Sequence, residues 1–378
     1  MKSPQQQKIG IVGGGQLGRM LLQSAMDFNL DVSILDADPN APCSAICSQF
    51  FTGKLTDFDA VYQFGKGMDL ITIEIENVNT DALKQLQQEG VTVYPQPEVI
   101  ELIKDKRIQK QFYADNGIPT AAFILTDDAA DVRSHADFLP AVNKLGKEGY
   151  DGSGVQIMRT EADLTKAFDK PGLLEKLVEF EKEIAVIVAR NASGAITTFP
   201  AVEMVFHPEA NLVEYLFSPA NINPTVEQKA TAIATEVIEK LDMVGLLAVE
   251  MFVTTAGEVL VNEVAPRPHN SGHQTIEANI TSQYEQHWRA ILNLPLGDTA
   301  NIMSSAMVNL LGEEGYSGEA IYEGLNEVMA LKGVHVHLYG KKMTKPFRKM
   351  GHVTLRGTDD EEIRRHVDKV KNTLKVKA

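Results

Sequence analysis

The sequence predicts a fold that begins as α/β and continues as α+β. A doubly wound parallel-sheet domain comes first, an antiparallel-sheet domain second, and a small β-rich C-terminal domain last. Two patterns predict this. Up to about residue 95, short apolar strands alternate with amphipathic helices, as in a parallel sheet wrapped by helices. Between about 138 and 265, strand patterns follow one another through hairpin signals, with one long helix among them. Domains are expected at 1–97, 98–300 and 301–378.

The elements follow in order. Lys8 to Val12 is an apolar strand, and 16–29 is a helix with Leu17, Met20, Leu21, Ala25 and Phe28 on one face. Strands are expected at 31–35, 70–76 and 91–94, and a helix over 80–89 stops at Gly90. One charged helix is expected from Glu98 to Asn116, closed by Gly117. Strands then fall at 141–144, 155–159, 183–190, 196–203, 246–253 and 258–264, with a helix over 226–241. The last portion has strands at 334–339 and 352–355 and a charged helix from Asp359.

Composition narrows the function. Apolar residues make up 44% and charged residues 23%, as in ordinary globular proteins, and no apolar run is long enough to span a bilayer. The N-terminus does not read as a signal peptide, so a cytoplasmic address is expected. A formal net charge of −15 argues against nucleic acid. Cys43 and Cys47 cannot build a disulfide framework and are read as packing residues. One run, Lys341 to Lys349, is basic and free of acids. It suits a solvated loop or a small phosphorylated ligand equally well.

Four stretches could carry chemistry. Gly13, Gly15 and Gly18 fit G-x-G-x-x-G after a strand, which suits either a phosphate at a helix N-terminus or a tight turn needed for steric reasons. A second glycine loop, 147–154, follows the strand ending in Lys144. Its backbone N–H groups could wrap phosphate oxygens, with Lys144 as a point charge. Glu250 and Glu263 lie on the two arms of a hairpin. With Val253 opposite Glu258, Glu250 would face Val261 with Glu263 as its diagonal neighbour, on the same side. Two such carboxylates suit a magnesium ion that also binds phosphates. A turn of three residues would instead send one of them to solvent. Directly after the hairpin, Arg267, His269, Asn270 and His273 crowd a loop rich in Pro and Gly, suited to a polar, anionic substrate. Glu74 and Glu76 alternate at the C-terminal end of a parallel strand, where α/β sheets bind ligands.

Together these motifs resemble the ATP-grasp carboxylases of purine biosynthesis, in particular the 5-(carboxyamino)imidazole ribonucleotide synthetase family. The resemblance rests on GGGQLGRM at 13–20, ITIEIENV at 71–78, DKRIQKQF at 105–112, the GYDG loop ending at Gly154, the hairpin acids, PRPHNSGH and RKMGHV. It covers nearly the whole chain. It implies an ATP-grasp fold with an N-terminal pre-ATP-grasp domain. It also implies carboxylation of 5-aminoimidazole ribonucleotide with ATP and bicarbonate, through carboxyphosphate. The implied cofactor is magnesium, with manganese as a substitute, and the implied assembly is a homodimer. An ATP-grasp transformylase using formate and a dinucleotide-binding oxidoreductase are the rival readings.

The resemblance also implies roles. Lys106 and Lys144 match the lysines that hold ATP phosphates. Ser153, Gly154 and Asn262 also fall in the ATP site. Glu175 and Val178 match the hinge that reads adenine through backbone groups, and Glu183 the ribose carboxylate. Glu250 and Glu263 match the metal ligands. Tyr150, Asp151, Arg267 and Glu74 match the catalytic pocket, with Asp151 steering the amine proton. Gln16, Leu17, His269, Asn270, Lys341 and Arg348 match the ribonucleotide pocket, the last two at the 5′-phosphate. Two departures concern detail. Ser153 stands where many members have arginine, and the stretch before Ser218-Pro219-Ala220 lacks an arginine often found there.

Overall fold

The computed structural model describes residues 3–147, 154–207 and 212–378. Its first layer is a five-stranded, wholly parallel sheet. The strands are β1 (Lys8–Val12), β2 (Asp31–Asp36), β3 (Gln49–Thr52), β4 (Leu70–Ile73) and β5 (Thr92–Val93), in the spatial order β3-β2-β1-β4-β5. The sequence reading lacks β3, an edge strand whose residues are mostly exposed and so show no burial pattern. The order reverses between β1 and β4, which opens a crevice at their C-terminal ends. β4 stops at Ile73, so Glu74 and Glu76 lie in the loop beyond it rather than in the expected strand.

Helix α1 (Gln16–Asp27) packs Leu17, Met20, Leu21 and Ala25 into a core shared with Tyr284 and Trp288 from the helix Gln283–Ile291. Trp288 Nε1 donates to Leu21 O at 2.9 Å, and His287 Nε2 lies 2.9 Å from Thr72 Oγ1. The first sheet is therefore clamped to the rest of the chain by a helix some 270 residues downstream in sequence, at a buried hydrogen bond.

The single helix expected over 98–116 is two, Pro97–Lys104 and Lys106–Asp115. Asp105 breaks it. Its backbone is extended, and its carboxylate accepts from Arg107 N as the cap of the second helix. Gly117, in the left-handed region at φ 69°, ends that second helix as expected.

Two large antiparallel sheets follow, with two small two-stranded ones in the C-terminal portion. Four strands pair in the order Phe123–Thr126, Gly172–Lys176, Ala141–Leu145, Val155–Met158. The larger sheet runs Val259–Ala265, Gly245–Thr254, Phe180–Arg190, Val202–Phe206, Val213–Ser218, Ser304–Leu311, Lys349–Gly357, Val334–Leu338, with Ile196–Thr198 beside Phe180–Arg190. The strand expected over 196–203 is thus two short ones. Ser304–Leu311 pairs with Val213–Ser218, so this sheet continues through residue 300 into the C-terminal portion. The helix Pro224–Lys240, capped by Asn223, covers the sheet and contributes Val226, Ala230, Ile233, Ala234, Val237 and Ile238 to its core. No helix among the described residues is long and apolar enough to cross a membrane.

Candidate active site

The site assembles where the four-stranded sheet meets the end of the larger one. The hairpin from Gly245–Thr254 to Val259–Ala265 forms its floor. Thr254 N donates to Glu258 O at 3.0 Å, and Gly257 takes φ 75°, so the turn holds three residues. This corrects the expected pairing, because Val253 lies opposite Val259 rather than Glu258. Continued regularly, that register would set Asn262 against Glu250 and turn Glu263 to the other face. A β-bulge intervenes. One extra residue, Asn262, lies between the partners of Met251 and Glu250, and Glu263 stands directly opposite Glu250. Ala185 is paired with Glu250 on the other side, which puts Glu183 on the same face, one diagonal step away.

Gathering these acids raises their electrostatic cost. Glu250 is pushed up to about 8 by burial, then by Glu263 and Glu183. Glu183 is pushed up to about 7, again mainly by burial. Glu263 is held down to about 2, chiefly by the Lys106 ammonium it contacts. Burial works against the charge on Lys106, but Glu263, Glu250 and Glu175 outweigh it and hold its pKa above the ordinary value. Lys106 reaches this point because the break at Asp105 makes it the first residue of a new helix.

Lys144 and Glu175 sit on adjacent strands of the four-stranded sheet. Val142 pairs with Glu175, so Lys144 is its diagonal neighbour on the same face. Lys144 Nζ lies 3.2 Å from Glu175 Oε1 and 2.9 Å from Asn262 Oδ1. The bulge residue thus ties the lysine of one sheet to the carboxylate pair of the other. Val178 is half-buried in the link between the two sheets. Gly154 takes φ 76° and its carbonyl accepts from Leu145 N at 2.9 Å. Tyr150, Asp151 and Ser153 lie outside the described residues.

The loop after the hairpin completes the other side. His269 Nε2 is 3.3 Å from Glu250 Oε1, and its ring is steadied by Ser271 Oγ at 2.9 Å from Nδ1. Gln283 grips the His269 backbone at both ends, accepting from N at 2.8 Å and donating to O at 2.7 Å. Asn270 forms a reciprocal amide pair with Asn309. Arg267 Nε lies 2.8 Å from Glu76 Oε1, an ion pair that joins this loop to the first domain. His273, expected beside a ligand, is instead buried against Tyr284 and His352.

The glycine turn of the first domain is filled by the protein itself. Glu74 Oε1 accepts from Gly15 N and Oε2 from Gly18 N, each at 2.9 Å, while Asp36 Oδ2 accepts from Gly14 N at 2.6 Å. A Cβ on Gly13 would come 2.4 Å from Glu74 Cγ, and one on Gly15 2.6 Å from Glu74 Oε1. The glycines are there to admit Glu74. Both oxygens of Glu74, which the resemblance sets in the catalytic pocket, accept hydrogen bonds from the turn. Gln16 stands half-buried at the start of α1, whereas the Leu17 side chain belongs to the core.

In the basic run, Lys341 Nζ donates to Lys349 O at 2.7 Å, and Arg348 Nη1 to Met343 O at 2.8 Å. Lys349 lies close enough to Glu250 to lower its pKa. Two residues here received no role of their own from the sequence: Lys110, one helical turn after Lys106, and Lys349, which closes the basic run. Glu76, read from the sequence as a ligand-side carboxylate beside Glu74, has Arg267 as its partner.

The chain matches three family models in succession: ribonucleotide synthetase preATP-grasp domain over 6–104, ATP-grasp domain over 111–284, and phosphoribosylaminoimidazole carboxylase C-terminal domain over 305–366. It is 39% identical to an N5-carboxyaminoimidazole ribonucleotide synthase of Synechococcus elongatus, over 92% of this chain and 89% of the relative. The chain belongs to the N5-carboxyaminoimidazole ribonucleotide synthase family. It is an ATP-grasp ligase by fold and family. The synthetase structure from Thermotoga maritima superimposes with a TM-score of 0.91 at 42% identity, covering 98% of this chain and 99% of that one. The Aspergillus clavatus synthase, solved with ADP and 5-aminoimidazole ribonucleotide, superimposes with a TM-score of 0.89 at 31% identity, covering 97% and 98%. The chain spans 64% of the length of the chloroplastic phosphoribosylaminoimidazole carboxylase of Vigna aconitifolia, to which it is 37% identical over 93% of its own length.

Proposed function

We propose that this chain carboxylates the exocyclic amine of 5-aminoimidazole ribonucleotide, using ATP and bicarbonate and releasing ADP and phosphate. The observation that carries the reading is the meeting of Lys106, Lys144 and the Glu250–Glu263 pair around the Asn262 bulge. A bicarbonate oxygen attacks the γ-phosphorus of ATP and ADP leaves, giving carboxyphosphate. The ribonucleotide amine then bonds to the carboxyl carbon, phosphate leaves, and the amine proton passes to a base. Such chemistry depends on positioning and charge neutralisation. Lys106 and Lys144 supply cations to the phosphates, and Glu183 suits a ribose hydroxyl. Arg267 and His269 face the bicarbonate and amine, and Lys341 and Arg348 suit the 5′-phosphate.

Magnesium fits the carboxylate pair. Among the described residues no group of three or more His, Cys, Asp or Glu side chains is arranged to hold a metal, so Glu250 and Glu263 would share the ion with phosphates and water. Burial, then the nearness of Glu263 and Glu183, pushes Glu250 up to about 8, and a divalent cation would offset that cost of ionising it. The ion, magnesium or manganese, would neutralise charge on the transferring phosphoryl group. The three-domain division at 97 and 300, a homodimeric assembly and a cytoplasmic address belong to the same reading.

The test is ADP release measured with and without bicarbonate and 5-aminoimidazole ribonucleotide. Turnover that needs both supports the proposal. Turnover independent of the ribonucleotide rejects it, and stimulation by formate with glycinamide ribonucleotide favours a transformylase instead.

A further inference from the structure

Lys110 is one of the most deeply buried cations in the described chain, its side chain only 3% exposed, and the reading above gives it no part. Its Nζ lies 2.7 Å from Glu175 Oε2, whose other oxygen lies 3.2 Å from Lys144 Nζ. It also donates to Thr120 Oγ1 and, at 3.4 Å, to Val261 O, the last residue before the bulge. Thr120 Oγ1 donates to the same carbonyl at 2.7 Å, and Val261 N donates to Pro119 O at 2.7 Å. Lys110 is therefore fixed between both sheets, with Glu175 as its partner on one side and the bulged strand on the other.

Charge gives this placement a purpose. A buried carboxylate with one lysine neutralises that lysine, leaving little attraction for an incoming phosphate. With two lysines, the group keeps one net positive charge, and its less buried end is Lys144, 10% exposed against 3% for Lys110, beside Asn262. We propose that Lys110 is a positioning residue for nucleotide binding: it occupies one oxygen of Glu175, so that the charge and direction of Lys144 remain available to phosphate. This rests on the reading of Lys144 as a phosphate-binding lysine.

The experiment is a double-mutant cycle read in steady-state kinetics. Lys110→Met should raise the KM for ATP about tenfold, with kcat and the KM for the ribonucleotide changed less than about twofold. In a Glu175→Gln background, where no carboxylate is left to share, the same substitution should change the KM for ATP less than about twofold. An unchanged KM for ATP, an equal rise for both substrates, or the same effect in both backgrounds overturns the proposal. If Lys110→Met alone does not fold, Glu175→Gln and the double variant decide: equal KM values for ATP support the proposal, and unequal values overturn it. Lys144→Gln separates the two levels. A KM for ATP that Lys144→Gln leaves unmoved rejects the phosphate reading itself. A raised one, with Lys110 silent, rejects only the role of Lys110.

Discussion

Glu263 faces Glu250 because the strand that carries it holds one residue too many, Asn262, for a regular ladder. The bulge compensates for a turn of odd length, and together the two irregularities return both carboxylates to one face. Neither would do so alone. Glu263→Gln keeps the shape of the side chain and removes the charge that Lys106 balances. Magnesium-dependent turnover should fall by at least about a hundredfold, since charge at a phosphoryl-transfer site is removed. Thermal unfolding should stay cooperative but shift to a lower temperature, because the buried Lys106 ammonium loses its main partner. Full activity in that variant would remove the metal assignment.

The first glycine turn yields a different expectation. Its N–H groups already bond Glu74 and Asp36, so no dinucleotide pyrophosphate can take them without displacing a buried carboxylate. Titration calorimetry with NAD or NADP should therefore show no heat of binding. Gly15→Ala forces a Cβ to 2.6 Å from Glu74 Oε1. Overpacking of this kind costs roughly 1–3 kcal/mol, readable as a lower urea midpoint. A midpoint equal to the parent's would mean that Glu74 is free to move.

Much of this architecture was legible in the residues, and the parts that were not share a cause. Helices announced by a cap and a periodic face, such as Pro224–Lys240 after Asn223 and Asp360–Thr373 after Asp359, fall close to where the pattern puts them. The exposed edge strand Gln49–Thr52 has no alternation to read. The break at Asp105 looks like one more polar residue in a charged helix until its side chain is seen capping the next one. The bulge is set by tertiary contacts, Thr120 beside Val261 and Lys144 on Asn262, which come from far away in sequence. Within the candidate site, residue types pointed to Lys144, Glu250 and Glu263, and the family resemblance added Lys106. Lys110 lies inside DKRIQKQF and Glu76 inside ITIEIENV, but neither stretch tells which distant side chain they meet.

Glu76 tests that last point. Its pairing with Arg267 spans the first domain and the loop after the hairpin, so it fixes the guanidinium that the proposed function sets against the substrates. Glu76→Gln should raise the KM for 5-aminoimidazole ribonucleotide by about two- to fivefold, the range expected for a partly exposed charged pair, with the KM for ATP unmoved. Steady-state kinetics with each substrate varied in turn checks it. A rise confined to ATP would place Arg267 in the wrong half of the site.

Acid stability gives a prediction whose sign depends on which groups dominate. His287 is fully buried against Thr72, and burial holds its pKa down to about 3 from an ordinary 6.5. The unfolded chain takes up a proton there below pH 6.5 while the native one does not. The native state therefore loses stability as pH falls from 6.5 towards 3. His273 and His352, also held well below their ordinary value by burial, act in the same direction. Glu250 and Glu183, pushed up to about 8 and about 7 from 4.5, oppose them only above pH 4.5, where the native state holds protons that the unfolded chain has lost. The net slope of the parent protein mixes the two, so the comparison that isolates the histidine is with His287→Gln. Glutamine can keep a hydrogen bond to Thr72 and does not titrate. Urea unfolding at a series of pH values should show the variant gaining on the parent by up to about 1.4 kcal/mol per pH unit below 6.5. Parallel stability curves would mean that His287 is protonated in the native state, contrary to its burial.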